Sequence, residues 1–331
     1  MYYQVCATIK CESSPAQDCY LNDTEGRHYM DENNENPPND YAHLKVLTIG
    51  NHKGGVAKTT LSKIISEYCV RKGKRVLGID IDPQCNFSGR FVNMNSEDGA
   101  PPPHPDFDPA DPAWDDLPYA PPGYWSISEF FKLGYVEPYP TDYENMRFIP
   151  AHKKDLTQFL EQVEKNEIED VVIGHMREML SMDYYQEEFD LVIIDTPPQT
   201  SSLTASATRA ATHLLIPTEM QEDSVAGMAD MAQLWQAENQ TRLGSKLEMV
   251  GILPTKYDSN SASQRHTLEA LEKNKTLGKS LIDPPMRYLQ TYANSSSTYA
   301  NPRSLFEMHE KTAARKEAEA FCEVVFKRVF G

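Results

Sequence analysis

Short apolar runs recur along the chain, and stretches with helical spacing lie between them. Val46, Leu47 and Ile49 form a run short enough for a buried strand. Past a glycine-containing turn, apolar residues recur at Leu61, Ile64, Ile65 and Tyr68, the spacing of one helix face. Val76–Ile81 reads as a second buried strand, Met146–Pro150 as another, and Phe189–Asp195 as a continuous apolar strand ending in an acid. His213–Thr218 and the run from Met249 complete the strand series. The helical segments begin near Trp125–Phe131 and Lys153–Lys165, and a third carries Val225, Met228, Met231 and Leu234 on one face. A methionine-bearing stripe of that kind is core. Lys311–Phe330 aligns Ala318, Phe321, Val325 and Val329 and reads as a packed terminal helix. Strands alternating with helices predict an α/β fold: a doubly wound, mostly parallel sheet flanked by helices.

Two stretches carry no such pattern. Residues 1–44 are polar and rich in Asn, Asp and Glu, and read as an irregular N-terminal extension of a domain spanning 45–331. Residues 93–125 contain Pro101-Pro-Pro-His-Pro105 and Pro121-Pro-Gly123 among acids. They read as a solvated insertion in a surface loop, since proline there propagates neither helix nor ladder. The charge sits in the same places. The net charge is −17; residues 1–45 hold eight acids against three bases, and residues 93–120 hold seven acids and no base. The remaining body is only mildly acidic and has room for a local basic face.

Six cysteines, Cys6, Cys11, Cys19, Cys69, Cys85 and Cys322, include no C-x-x-C pair. The first three, with His28 or His43, lack zinc-site spacing, and unpaired thiols in a reducing cytoplasm are the reading. There is no run of about eighteen apolar residues and no basic-then-apolar start. Both point to the cytoplasm.

The chemistry lies in the first strand–turn–helix unit. The turn reads Lys53-Gly-Gly-Val-Ala-Lys-Thr-Thr60. Gly54 and Gly55 let backbone N–H groups turn inward, and a helix N-terminus adds partial positive charge: the parts of a phosphate-binding loop. Lys58 is placed to reach the outer phosphates and the Thr59 hydroxyl to ligate Mg²⁺. The general pattern G-x-x-x-x-G-K-[ST] is not met, because His52 and Ala57 stand at its two glycines. Downstream, Asp80 and Asp82 sit at the C-terminal end of the second strand, and Asp195 ends the strand from Phe189. Open α/β sheets bind their ligands at that edge.

The variant loop with a leading lysine resembles the deviant phosphate-binding loop, KGGxxK[ST], of the ParA/MinD ATPases, and the chain is identified as a member of that family over roughly residues 45–330. Asp80-Ile-Asp-Pro-Gln-Cys-Asn86 resembles the family's D-x-D-P-Q-x-N segment, and Asp195-Thr-Pro-Pro198 its D-[TA]-P-P segment. The resemblance implies ATP and Mg²⁺ bound by Lys53, Gly54, Gly55, Val56, Ala57, Lys58, Thr59 and Thr60. Lys53 is then the signature lysine that reaches the partner subunit's phosphates in a sandwich dimer. Asp82 orients the attacking water, Asp80 lies nearer the Mg²⁺ shell, and Asp195 holds that shell beside Thr59. Thr255 and Lys256 fall near the adenine site by the same resemblance. The family has glycine at Ala57, where a methyl group is tolerated if the local φ is negative.

The family also binds DNA without sequence preference through basic residues of the C-terminal third. Here that implies Arg265, Lys273, Lys275, Lys279, Arg287 and Arg303, with Arg287 best supported because Met286-Arg-Tyr-Leu289 resembles the family's VRLS segment. The function implied is partition of a plasmid or chromosome by an ATP-dependent homodimer over the nucleoid, with a ParB-like centromere-binding partner. The alternatives are positioning of another cargo, such as a carboxysome or chemoreceptor cluster, and a MinD-like membrane-surface ATPase. The ending Val324–Phe330 is similar to the MinD amphipathic tail. An iron–sulfur-linked member is disfavoured, since no cysteine follows the strand ending at Asp195 in the position that would bridge a cluster.

Overall fold

The computed structural model describes residues 41–106, 123–199, 201–242, 244–275, 277–295 and 304–331. The first forty residues, the centre of the acidic insertion, Arg303, Cys6, Cys11 and Cys19 lie outside these.

Seven strands form one sheet: β1 (Lys45–Ile49), β2 (Val76–Asp80), β3 (Tyr139–Pro140), β4 (Met146–Ile149), β5 (Leu191–Asp195), β6 (His213–Glu219) and β7 (Glu248–Thr255). Their spatial order is β3-β4-β2-β5-β1-β6-β7. All neighbours are parallel except β3, which runs antiparallel to β4 at one edge. The central strands are covered on both faces: β2 and β5 are buried at every position. That is why they read as unbroken apolar runs rather than alternating ones.

Chain direction across the sheet places the helices. From β1 the chain moves through α1 (Lys58–Arg71) toward the β3 edge, while from β5 it moves through α7 (Ser202–Ala210) and α8 (Glu222–Thr241) toward the β7 edge. Right-handed crossovers in opposite directions put these helices on opposite faces. α11 (Ala313–Phe330) returns to pack on α1, and α5 (Glu169–Leu180) packs on α7. The shorter helices are α2 (Ser88–Phe91), α3 (Ile127–Leu133), α4 (Lys153–Lys165), α6 (Asp183–Glu188), α9 (Ala262–Glu272) and α10 (Gln290–Ser295).

α11 packs against the fold as its stripe predicts. Ala318, Phe321, Cys322, Val325 and Val329 are all buried, so its apolar stripe is spent on the core. Arg328 ties its end down by donating from Nη1 to the Val250 carbonyl at 2.6 Å. No helix among the described residues is long and apolar enough to cross a membrane.

A buried polar cluster couples α1 to the segment before α11. Lys63 and Glu67, both buried, pair at 3.2 Å, and Glu67 accepts hydrogen bonds from the Tyr143 and Ser304 hydroxyls, each at 2.9 Å. The described flanks of the acidic insertion are mostly exposed but are pinned to the fold at a few points. Ala100, His104 and Trp125 are buried, the His104 N–H donates to the Gly123 carbonyl at 2.9 Å, and the Tyr139 hydroxyl donates to the Pro102 carbonyl at 2.8 Å.

Candidate functional site

The chain leaves β1 toward the β3 edge and leaves the neighbouring β5 toward the β7 edge, so a crevice opens beyond the C-terminal ends of these two strands. The loop of residues 50–57 occupies that crevice and delivers the chain into α1. No acid stands in the first turn of α1, so its exposed N–H groups and positive dipole end are left for an anion.

The loop is braced from three sides. The Asn51 amide donates to the Pro217 carbonyl at 2.8 Å, and its Oδ1 accepts the Lys53 N–H at 2.8 Å, closing the first limb against α8. Gly227 makes that approach possible, because a Cβ there would lie 2.4 Å from Asn51 Oδ1 and 3.0 Å from Lys53 N. On the far limb, the buried Thr255 hydroxyl donates to the Val56 carbonyl at 3.1 Å. Gly55 adopts φ 81°, which only glycine takes freely, whereas Gly54 needs no such freedom.

Ala57 departs from expectation. Its φ is 68° and ψ 25°, the left-handed region, so the negative φ that would have made its methyl group innocuous is absent. The sequence pattern that marks a phosphate loop says nothing of the sign of φ at a particular position.

The two lysines of the loop have opposite dispositions. Lys58 is buried and folds back, its ammonium donating to the Asn51 carbonyl at 2.9 Å and the Lys53 carbonyl at 3.1 Å. Burial lowers its pKa, and Asp195 and Asp82 oppose that shift. Lys53 has a side chain 44% exposed, with its ammonium 3.2 Å from Asp223 at the start of α8.

The carboxylates gather beside the loop. Asp195, fully buried, accepts from the Thr59 hydroxyl at 2.7 Å and the Ser62 hydroxyl at 2.8 Å. Asp80 lies directly across the β2–β5 ladder from Asp195. Burial drives both carboxyls upward, and Asp80 raises Asp195 further. Asp80 has another occupation, however. One oxygen accepts the Asp82 N–H at 3.0 Å, and the other accepts the Ser88 N–H and hydroxyl at 2.8 and 2.7 Å. The structure therefore gives Asp80 the task of shaping the Asp82 turn, and both its oxygens are engaged in doing so. Asp82 Oδ1 accepts the Gln84 N–H at 2.9 Å; burial raises its pKa while that bond and Lys58 lower it.

A divalent cation suits these donors. Thr59 and Asp195 offer hard oxygens, and the buried carboxyl pair has one nearby cation, Lys58, to balance it. Among the described residues no cluster of three or more His, Cys, Asp or Glu could cage a metal by itself. Mg²⁺ is commonly held by one or two protein oxygens and completed by phosphates and water.

The remaining residues named from the sequence fare unequally. Thr255 braces the loop, and Lys256 pairs with Glu219 at 2.9 Å; both adjoin the loop, but neither has a geometry that defines a base-binding contact. Arg287 is half exposed, and its guanidinium and backbone N–H are both tied to Glu317 of α11. Arg265, Lys273, Lys275 and Lys279 are exposed on α9 and the turn after it. Asn51, Ser62 and Gly227 were absent from the sequence reading. Ser62, one helical turn beyond Thr59 toward the same strand end, carried the only usable signal.

Fold and loop together define a P-loop nucleotide-binding α/β protein. The family model for an AAA domain matches residues 44–249. The Myxococcus xanthus chromosome partitioning protein ParA is 27% identical over 227 residues, 68% of this chain and 69% of that one. A Rhizobium rhizogenes protein carrying the name replication protein A is 25% identical over 289 residues, 85% of this chain but 66% of that protein's length. Among solved structures, an ATP complex of McdA from Cyanothece superposes with a TM-score of 0.63 at 21% identity, covering 86% of this chain and 96% of that one. The chain belongs to the AAA-domain family and, within it, to the ParA/MinD ATPases.

Proposed function

We propose that the protein is a ParA-type partition ATPase. It dimerises around ATP, binds DNA without sequence preference, and hydrolyses ATP to release it, moving a plasmid or chromosome with a ParB-like partner. The observation that carries this reading is the split between the two loop lysines. Lys58 serves its own loop, whereas Lys53 stands exposed at the mouth, where a second subunit's phosphates would come within reach.

In this reading the loop N–H groups and the N-terminus of α1 bind the phosphates, and Lys58 neutralises the outer ones. Thr59 and Asp195 would hold Mg²⁺, which would supply charge neutralisation to the bound phosphates. Asp82, fixed by Asp80 and Gln84, orients water toward the γ-phosphate, and Lys53 stabilises the charge that develops. The DNA-facing surface rests on Arg265, Lys273, Lys275, Lys279, Arg287 and Arg303, acting through charge rather than base recognition. The working place is the cytoplasm, over the nucleoid.

The test is binding of nonspecific duplex DNA by the Asp82→Ala protein with ATP, with ADP and without nucleotide, at two salt concentrations. Binding confined to the ATP state and weakened by salt supports the reading. Absence of binding in every state overturns it.

A further inference from the structure

The residues that follow β4, 150–152, meet the Asp82 turn through one serine. The Ala151 N–H donates to the Ser88 hydroxyl oxygen at 2.9 Å, and that hydroxyl donates in turn to Asp80 at 2.7 Å. The Ser88 N–H reaches the same Asp80 oxygen at 2.8 Å, while the other oxygen accepts the Asp82 N–H at 3.0 Å. Ser88, Asp80 and Ala151 are all fully buried. The serine hydroxyl therefore uses its proton and a lone pair at once, and a hydrogen-bonded path runs from the end of β4 to the backbone of Asp82. A buried bond of this kind is costly to leave unmade, so the turn and the strand end hold one another in place.

The same residues receive both ends of the acidic insertion. The Pro150 carbonyl accepts the Ile127 N–H at 2.8 Å. His152, buried, pairs through Nδ1 with Asp155 at 2.8 Å. The Tyr124 hydroxyl, from the far flank, donates to that Asp155 oxygen at 2.9 Å and lies 3.2 Å from His152 Nδ1. The Asp155 hydrogen bond raises the His152 pKa against the effect of burial, and Asp98, from the near flank, raises it further through its backbone and its charge. Both flanks thus close on His152, one residue from the N–H that holds Ser88.

We propose that Ser88 is a positioning residue for ATP hydrolysis: it fixes the Asp82 turn against residues 150–152, and so passes to Asp82 any shift of the insertion flanks clasped at His152. This rests on Asp82 as the residue that orients water. A misplacement of about 1 Å costs about a hundred-fold in rate, so the path controls turnover rather than nucleotide binding.

The experiment is steady-state ATP hydrolysis by the full chain with saturating Mg²⁺, beside titration with a fluorescent ATP analogue. Ser88→Ala should lower kcat at least about ten-fold while KM and analogue affinity stay within about two-fold. Ser88→Thr, which keeps the hydroxyl, should restore most of the loss. Tyr124→Phe takes one hydroxyl from Asp155 and keeps the ring. It should lower kcat about three-fold with affinity unchanged, and stands as an independent variant should Ser88→Ala fold poorly. A Ser88→Ala kcat within about two-fold of wild type, or an affinity that falls in step with kcat, overturns the positioning role. Unchanged turnover in Tyr124→Phe overturns the link to the insertion. Asp82→Ala, run in parallel, separates the two levels. Wild-type turnover in that variant sinks the reading of Asp82 itself, whereas an inactive Asp82→Ala beside an unaffected Ser88→Ala sinks the positioning role alone.

Discussion

Ala57→Gly should stabilise the protein. The residue sits at φ 68°, ψ 25° at the entry to α1. An L-residue in the left-handed region carries a cost of about 1–2 kcal/mol that glycine does not. Against this, glycine loses more backbone freedom on folding, roughly 0.4–1 kcal/mol relative to alanine. The difference favours glycine by about 0.5–1 kcal/mol, which in a domain of this size raises the melting temperature by roughly 1–4 °C. Ala57 makes its one recorded helix bond through its carbonyl, accepting from the Leu61 N–H at 3.0 Å, and glycine keeps that bond. Scanning calorimetry of both proteins without nucleotide decides the matter. A melting temperature that falls, or an Ala57→Val protein as stable as wild type, would show that the left-handed geometry carries no strain here.

Three further outcomes follow from the geometry. Lys58→Ala should abolish ATP binding measured by fluorescent-nucleotide titration, and retained affinity would discredit the loop assignment. Glu67→Ala leaves the buried Lys63 ammonium without its carboxylate and should cost about 3–5 kcal/mol in urea unfolding, against which a loss below about 1 kcal/mol would count. His213, whose pKa burial and then Lys45 push from 6.5 down to about 4, folds in its neutral form. Its contribution is therefore full above pH 6.5 and lost as pH falls through that value toward 4, by up to about 3 kcal/mol. A His213→Gln protein should lose less stability than wild type between pH 7 and pH 4.5, and parallel pH profiles would refute the shift.

Much of this molecule is legible along the chain because its strands are buried on both faces. Unbroken apolar runs such as Leu191–Asp195 can be little else, and acids at their ends mark the edge where a ligand sits. The Lys53–Thr60 motif is local, so its residues arrive together. What was illegible depends on partners far away in sequence. Asn51 and Gly227 meet only because α8 lies against the loop, and Arg287 pairs with Glu317 only because α11 returns to pack beside α1. The helices Glu169–Leu180 and Ala262–Glu272 are faint in the sequence for a different reason: Glu169–Leu180 packs most heavily on a neighbouring helix, and Ala262–Glu272 buries only Leu271.

The folded-back posture of Lys58 has a kinetic corollary. Its ammonium has three protons, and two are held by the carbonyls of Asn51 and Lys53. The third remains for a phosphate oxygen, so nucleotide is expected to enter without breaking either bond. The loop thus behaves as a rigid receptor rather than one moulded by its guest, and the entropy of ordering it falls on folding instead of on binding. Association should then follow a single phase whose rate rises linearly with nucleotide concentration, with no plateau from a slow loop closure.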